Sequence, residues 1–357
     1  MATENDVLKA LSTIIDPDFQ KDIVSLGFVK DISIDACRVS FTIELTTPAC
    51  PVKEEFRRQA EEVVSSLPDI SEVAVNITSK VQAQPKVAQQ VPGVANIIAV
   101  TSGKGGVGKS TTAVNLAVAL AHTGARVGLL DADIYGPSIP RMMNLAGQQP
   151  KVEEKKIFPL ENYGVRTMSI GYMVAEDQAM IWRGPMVSGA VMQLLNEVIW
   201  GELDYLVVDM PPGTGDIHLT LAQQVPITAS IVVTTPQDIA LLDARKGIAM
   251  FNKVNVPTLG IVENMSVFIC PHCGEASHVF AEGGADRLAA EQHVDVLGHI
   301  PLDIQIRLDS DNGTPIVAAH PDSPQAEAYR DLAGEVARRI SVLNRRKIDI
   351  PVMVQNG

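Results

Sequence analysis

The chain is 357 residues long, 46% apolar and 20% charged. That balance suits one large or two unequal globular domains with a core that needs no disulfide staples. A formal net charge of −13 disfavours nucleic acid as the main partner, since phosphate binding takes clustered Lys and Arg.

The N-terminus, MATENDVLKALSTIIDPDF, is acidic and helical in pattern, with neither a secretory nor a transit layout. No apolar run reaches the roughly 18 residues of a membrane span, so the expected setting is the cytosol. Residues 3–15 repeat apolar positions at helical spacing, and Asp16-Pro17-Asp18 reads as a turn. Two β-rich runs follow at 28–35 and 38–46, the second in strict alternation. After TTPACP, residues 52–66 predict an amphipathic helix and 71–79 a strand. Together these make a small α+β domain over residues 1–80. Residues 81–95 are rich in Gln, Pro and Lys without periodicity and read as a linker.

From 96 to 345 the pattern changes. Apolar runs (NIIAVTS, RVGLLDAD, YLVVDMPPG, SIVVTTP, TLGIVENM, VLGHIP) alternate with helices at 110–122, 238–252 and 324–343. Buried strands alternating with helices define an α/β fold with a mostly parallel sheet covered on both faces. The region from about 140 to 200, with Arg183 in WRGPM, reads only as part of a dimer or client surface.

The strongest motif is GKGGVGKS, comprising Gly103, Lys104, Gly105, Gly106, Val107, Gly108, Lys109 and Ser110. It follows a strand and opens a helix, which is the context a phosphate loop requires. Its glycines let main-chain N–H groups approach phosphates, Lys109 reaches the β- and γ-phosphates, and the Ser110 hydroxyl ligates Mg²⁺. Thr111 and Thr112 are placed to add contacts to the α-phosphate. Asp131, Asp133 and Asp209 end or follow apolar runs, where ligands sit in open α/β sheets. Asp209 is the natural Walker B acid for Mg²⁺, and Gly213 in DMPPG places an N–H near the γ-phosphate. Such aspartates also serve as helix caps or turn residues. Asn264 in IVENMS admits an Asx turn or contact with a base.

With Lys104, the loop resembles the deviant phosphate loop of the MinD/ParA/nitrogenase-iron-protein class. The resemblance implies Mg-ATP, hydrolysis, and a homodimer in which Lys104 crosses to the partner's nucleotide. It also implies that Asp133 positions the attacking water, Asp131 holds Mg²⁺ through water and Asn264 reads adenine. No NKxD guanine reader occurs, which favours ATP over GTP.

Cys270 and Cys273, in CPHCG, can grip one metal or cluster edge. His272 and His278 complete a Cys₂His₂ zinc set within one chain, or two subunits pool their thiolates around a cluster, or the pair is a redox dithiol. Residues alone leave these open. GKGGVGKST, DADIYGPSIP, RGPM, DMPPGTGD, VENMS and CPHCG occur in this order, and the set resembles the Mrp/ApbC-type iron–sulfur cluster carrier ATPases. That resemblance implies a labile [4Fe-4S] cluster held between two subunits by Cys270 and Cys273. The implied partners are iron–sulfur scaffolds and recipient apoproteins, with neither nucleic acid nor membrane. No ligand role passes to His272.

Residues 1–80, through the early DPD and TTPACP, resemble the MIP-eighteen/PaaD-like domain, and Cys50 stands where that family keeps a reactive cysteine. A helix N-terminus beside Cys50 is expected to lower its pKa, while a buried structural thiol is the other reading. Cys37 is expected to be plain packing. Some plastid relatives add a C-terminal domain, whose functions are not expected here. The rival readings are a MinD/ParA-type partitioning or positioning ATPase, an electron-transfer ATPase with a stable cluster, and a regulatory ATPase with structural zinc.

Overall fold

The computed structural model describes residues 2–83, 91–174 and 184–349. Arg183 and linker residues 84–90 lie outside the described residues. The chain divides into two compact units, residues 1–82 with 337–357 and residues 83–336.

In the first unit, helix α1 (Glu4–Leu11) opens on a capping box. Asp6 N–H donates to Thr3 Oγ1 and Thr3 N–H to Asp6 Oδ2, which satisfies two donors that a helix start leaves open. The helix stops at Leu11, short of the sequence reading, because the Ser12 and Thr13 hydroxyls turn back onto the Lys9 and Ala10 carbonyls. Asp16 Oδ1 then takes the N–H groups of Asp18 and Phe19 at 2.8 and 3.0 Å, fixing the DPD turn.

Strand β1 (Val29–Asp35) pairs antiparallel with β2 (Arg38–Leu45), and β3 (Glu72–Ser79) runs parallel to β2. Helix α2 (Lys53–Ser65) makes the crossover. The alternation in β2 turns Val39, Phe41, Ile43 and Leu45 inward, and Phe56, Ala60 and Val64 of α2 join them in one core. Each large apolar side chain so buried contributes roughly 1.5–3 kcal/mol. Residues from Ala337 onward belong to this unit. Arg338 pairs with Asp18, and Asn344 donates to the Gln82 carbonyl at 2.9 Å. The Arg345 guanidinium lies 5.2 and 5.7 Å from the ring centres of Phe19 and Phe28. The boundary read at 345 therefore moves to 336, since the basic end of the last helix finds its carboxylate, carbonyl and aromatic partners here.

The second unit is built on a nine-stranded sheet. In chain order it holds β4 (Val94–Thr101), α3 (Lys109–His122), β5 (Val127–Asp131), β6 (Leu160–Asn162), β7 (Val165–Ser169) and α4 (Gly184–Glu197). These are followed by β8 (Leu203–Asp209), α5 (Asp216–Gln224), β9 (Ala229–Thr234), α6 (Asp238–Lys253), β10 (Thr258–Ile269), β11 (Ala276–Ser277), α7 (Gly284–Gln292) and β12 (Asp295–Leu302). The strand order is β6-β7-β5-β8-β4-β9-β10, with β11 and β12 both paired to β10. Only the β6–β7 and β10–β11 pairs are antiparallel.

Strands β5, β8 and β9 bury almost every residue, as strands covered on both faces must. The expected α/β fold is present, with its parallel strands ending on one edge. One strand is longer than its sequence suggests. TLGIVENM spans 258–265, yet β10 continues to Ile269 because Phe268 and Ile269 pair with Ser277 and Ala276 in a terminal hairpin.

Candidate functional site

The loop 103–110 joins the buried β4 to the N-terminus of α3. Gly108 is the N-cap, at φ +81 with no side-chain cap, so first-turn N–H groups remain available to an anion. A Cβ on Gly105 or Gly106 would meet no atom within 4 Å, leaving room beside the main chain for phosphate. Gly108 is different, because a Cβ there would run into the Asn264 amide nitrogen. That amide donates to the Val107 carbonyl at 2.8 Å, so Asn264 braces the phosphate loop from β10. Asn264 was expected after a strand, reading adenine. It lies within β10, just before Met265 at φ +58, and one N–H of its amide bonds the loop, which leaves its carbonyl and second N–H.

Four charged groups meet at the strand ends. The Lys109 ammonium donates to Asp209 Oδ1 at 2.6 Å and lies 3.8 Å from Asp133 Oδ2. Ser110 Oγ donates to Asp209 Oδ2 at 2.6 Å. Asp209 and Asp131 end adjacent strands in register. Asp131, fully buried, takes the Ser169 hydroxyl at 3.0 Å and the Asp133 N–H at 3.1 Å. Burial, reinforced by the Asp209 charge, pushes the Asp131 carboxyl up to about 8, and burial raises that of Asp133. Three carboxyl groups gather around one ammonium, and a divalent cation beside Ser110, Asp131 and Asp209 would favour their ionised forms.

Lys104 is half-buried. Its carbonyl accepts from Ser102 Oγ at 2.8 Å, and among the described residues its ammonium has no ion-pair partner. Thr111 is half-buried and Thr112 buried on the first turn of α3. Gly213, expected to present its N–H to the γ-phosphate, instead donates that N–H to the Ser102 carbonyl at 2.9 Å. The main chain of DMPPG is thus tied back to the root of the phosphate loop.

Sequence reasoning missed Ser169 and His218. Ser169 ends a strand that no motif marks. His218, buried in α5, places Nε2 3.0 Å from Thr101 Oγ1, and burial pushes its imidazole down to about 4. It stays neutral and ties α5 to the last residue of β4. A polar residue one turn inside the helix after DMPPG was the only available signal.

The second centre is the turn that closes β10–β11. Gly274 N–H donates to the Cys270 carbonyl at 2.8 Å and Cys270 N–H to Glu275 at 3.0 Å. The N–H groups of Cys273 and His272, with the Cys273 side chain, hold the Cys270 thiol below its ordinary range. Cys273 is exposed and Cys270 half-exposed. The zinc set within one chain is not assembled. His278 Nδ1 lies 3.2 Å from the Ser266 carbonyl. Among the described residues, no third His, Cys, Asp or Glu ligand atom lies within 4.8 Å of both thiols.

Of the other two cysteines, Cys37 departs from the packing expected of it and Cys50 follows the buried reading. Cys37 is exposed, in the turn between β1 and β2. Cys50 packs against the core of the first unit, where burial pushes its thiol up to about 11. The Val52 N–H opposes this weakly, and Asp16 and Asp18 add to it. The helix-lowered thiol is therefore overturned: α2 begins only at Lys53, and desolvation outweighs its field. At pH 8 only roughly one Cys50 in a thousand is thiolate. Native alkylation followed by peptide mass spectrometry is expected to label Cys37, Cys270 and Cys273 long before Cys50. The Cys50 rate should rise about tenfold per pH unit up to pH 10. Labelling of Cys50 at the Cys37 rate at pH 8 would contradict its burial.

A phosphate loop with a second lysine, Walker-type carboxylates at neighbouring strand ends and a mostly parallel sheet define a P-loop ATPase of the MinD/ParA-like class. The family profile described as NUBPL iron-transfer P-loop NTPase matches residues 93–337, and that described as Iron-sulfur cluster assembly protein matches residues 4–77. The chain is 47% identical to an iron-sulfur cluster carrier protein of Synechocystis, covering 96% of this chain and 99% of that one. It is 53% identical to one of Escherichia coli K12, covering 80% and 79%. Among solved structures, a nucleotide-binding protein from Archaeoglobus fulgidus, determined with ADP, is 37% identical over 67% of this chain and 93% of its own, with a TM-score of 0.59. MinD of Pyrococcus furiosus, 24% identical with a TM-score of 0.51 over 68% and 98%, shares the fold. The chain belongs to the iron–sulfur cluster carrier family of P-loop ATPases. No described helix is long and apolar enough to cross a membrane.

Proposed function

We propose that two copies of this chain hold one [4Fe-4S] cluster between their Cys270–Cys273 turns and pass it to recipient apoproteins, with Mg-ATP at the phosphate loop governing the geometry of the pair. The observation that carries this reading is the lone thiol pair. Two thiolates stand on an exposed turn with no third ligand beside them among the described residues, whereas a four-iron cluster takes four. A second copy supplies the missing two. The turn is flanked by exposed Ile269 and Val279, apolar surface that a partner can cover.

Mg²⁺ supplies charge neutralisation of the phosphates when bound, and Ser110, Asp131 and Asp209 are the residues that would hold it. Lys109 leaves Asp209 for the β- and γ-phosphates. Asp133 orients the attacking water, and Lys104, unpaired in one copy, reaches across to the partner's nucleotide. The Gly213 N–H exchanges the Ser102 carbonyl for the γ-phosphate, releasing the DMPPG segment from the phosphate-loop root. The thiol turn grows from β10, the same strand whose Asn264 braces the loop, so a change at the nucleotide has a short path to the cargo. The kinship with iron-sulfur cluster carrier proteins and the ADP held by the Archaeoglobus protein support this reading.

The test is anaerobic reconstitution followed by mixing with an apoprotein that needs a four-iron cluster. Expected are one cluster per two chains, a particle of dimer mass, and acceptor activity that appears as carrier absorption falls, at a rate altered by Mg-ATP. A monomer carrying a full cluster, or anaerobically isolated protein carrying zinc without iron, would refute the shared-cargo reading.

A further inference from the structure

Glu263, Asp286 and His299 come from three different elements, β10, α7 and β12, and each offers a ligand atom within 4.8 Å of the other two. Glu263 is only 2% exposed. Its Oε1 is fixed by the Ala285 N–H at 3.2 Å, which leaves Oε2 aimed at His299 Nδ1, 3.1 Å away. Asp286 Oδ1 lies 3.9 Å from His299 Nε2. Asp286 and His299 are both exposed, so solvent reaches the open side of the group. Among the described residues no Lys or Arg forms an ion pair with either carboxylate. Two carboxylates around one imidazole, with no Lys or Arg paired to them, are a donor set for a first-row divalent ion, which would take the place of the proton shared by Glu263 and His299.

We infer that Glu263, Asp286 and His299 form a second metal site, taking one divalent ion such as Co²⁺ or Zn²⁺ with water completing its coordination. The separation of Glu263 Oε2 and His299 Nδ1 matches two ligands on one ion with bonds of about 2.1 Å. Asp286, on the first turn of α7, lies nearest the other ring nitrogen, Nε2, at 3.9 Å, so it completes the site through a bridging water. The hydrogen bond from Ala285 to the buried carboxylate is the kind of outer contact that orients a ligand. Calcium is the poorer fit, since it takes six to eight oxygens. Glu263 directly precedes Asn264, which braces the phosphate loop, and β10 runs on to the thiol turn. An ion joining β10, β12 and α7 therefore stiffens the strand between the two centres.

The test uses the full chain with Cys270→Ala and Cys273→Ala, which removes the competing thiolates, and titrates Co²⁺ alone without nucleotide. The expected result is one ion lost on His299→Ala, with affinity falling at least about tenfold there and in Glu263→Gln. The visible spectrum should be that of nitrogen and oxygen ligation. Co²⁺ should also raise the melting temperature of the parent and not that of His299→Ala. Both variants are first shown to fold by circular dichroism, and Asp286→Asn, at an exposed position, serves if either fails. Unchanged Co²⁺ affinity in the folded variants, or no saturable binding in the parent, would overturn the site.

Discussion

Lys109→Ala is expected to reduce ATP hydrolysis to background and to weaken Mg-ATP binding by about a hundredfold or more. The ammonium is only 6% exposed and is the sole cation within ion-pair distance of Asp209 and Asp133 among the described residues. In the proposed mechanism it serves twice, as counterion before nucleotide arrives and as phosphate ligand afterwards. Removing one partner of a buried pair costs about 3–5 kcal/mol, so some of the loss should appear as a lower melting temperature, partly restored by Mg²⁺. Ser110→Ala separates the two roles. It deletes the hydroxyl that bonds Asp209 and keeps the cation, so it should stay near parental stability while hydrolysis falls. Phosphate release, equilibrium nucleotide binding and thermal melting read the three effects. A Lys109→Ala protein that binds Mg-ATP within threefold of the parent would show that the phosphates lie elsewhere.

Lys109 was legible in the sequence because its chemistry is local. Loop, strand and helix start are contiguous, and glycine spacing reports backbone geometry directly. The same holds for Asp131 and Asp209, each closing an apolar run. The structure adds their in-register pairing, which chain order alone does not give. What the sequence could not show shares a cause: it depends on a residue's neighbours across space. Asn264 looked free to meet a base, yet parallel packing of β10 brings it against Val107. Gly213 looked like a vacant donor, and the structure adds the Ser102 carbonyl as its partner before nucleotide arrives. Cys50 sat near a helix start, but the field of α2 is set against a core containing Phe56 and Ile43. The extension of β10 to Ile269 was hidden because its partners, Ala276 and Ser277, lie beyond the cysteine turn. In each case the sequence announced a chemical group, and desolvation or a long-range hydrogen bond set its surroundings.

Replacing both Cys270 and Cys273 with alanine is expected to bring reconstituted iron and visible cluster absorption to background while leaving ATP hydrolysis within about twofold of the parent. The turn is held by main-chain bonds, Gly274 to Cys270 and Cys270 to Glu275, and not by the sulfur atoms, so alanine keeps its shape. Neither thiol takes part in the network around Lys109 and Asp209, so hydrolysis has no reason to fall beyond the loss of any cluster-bound dimer. Each single substitution should be nearly as damaging, because a cluster shared by two chains loses two of four ligands at once. A monomer-bound cluster with outside ligands would lose only one, so the single variants distinguish the two geometries as well as testing the site. His272→Ala and His278→Ala should leave iron content unchanged, since neither imidazole is gathered to the thiols. The Cys270 thiol, held below its ordinary range by the turn's N–H groups, gives up its proton to a ligated metal more readily than a free thiol. Should the double alanine protein still take up iron and sulfide to full absorbance, the cargo sits on other residues. The phosphate loop would then be acting on a different part of the chain.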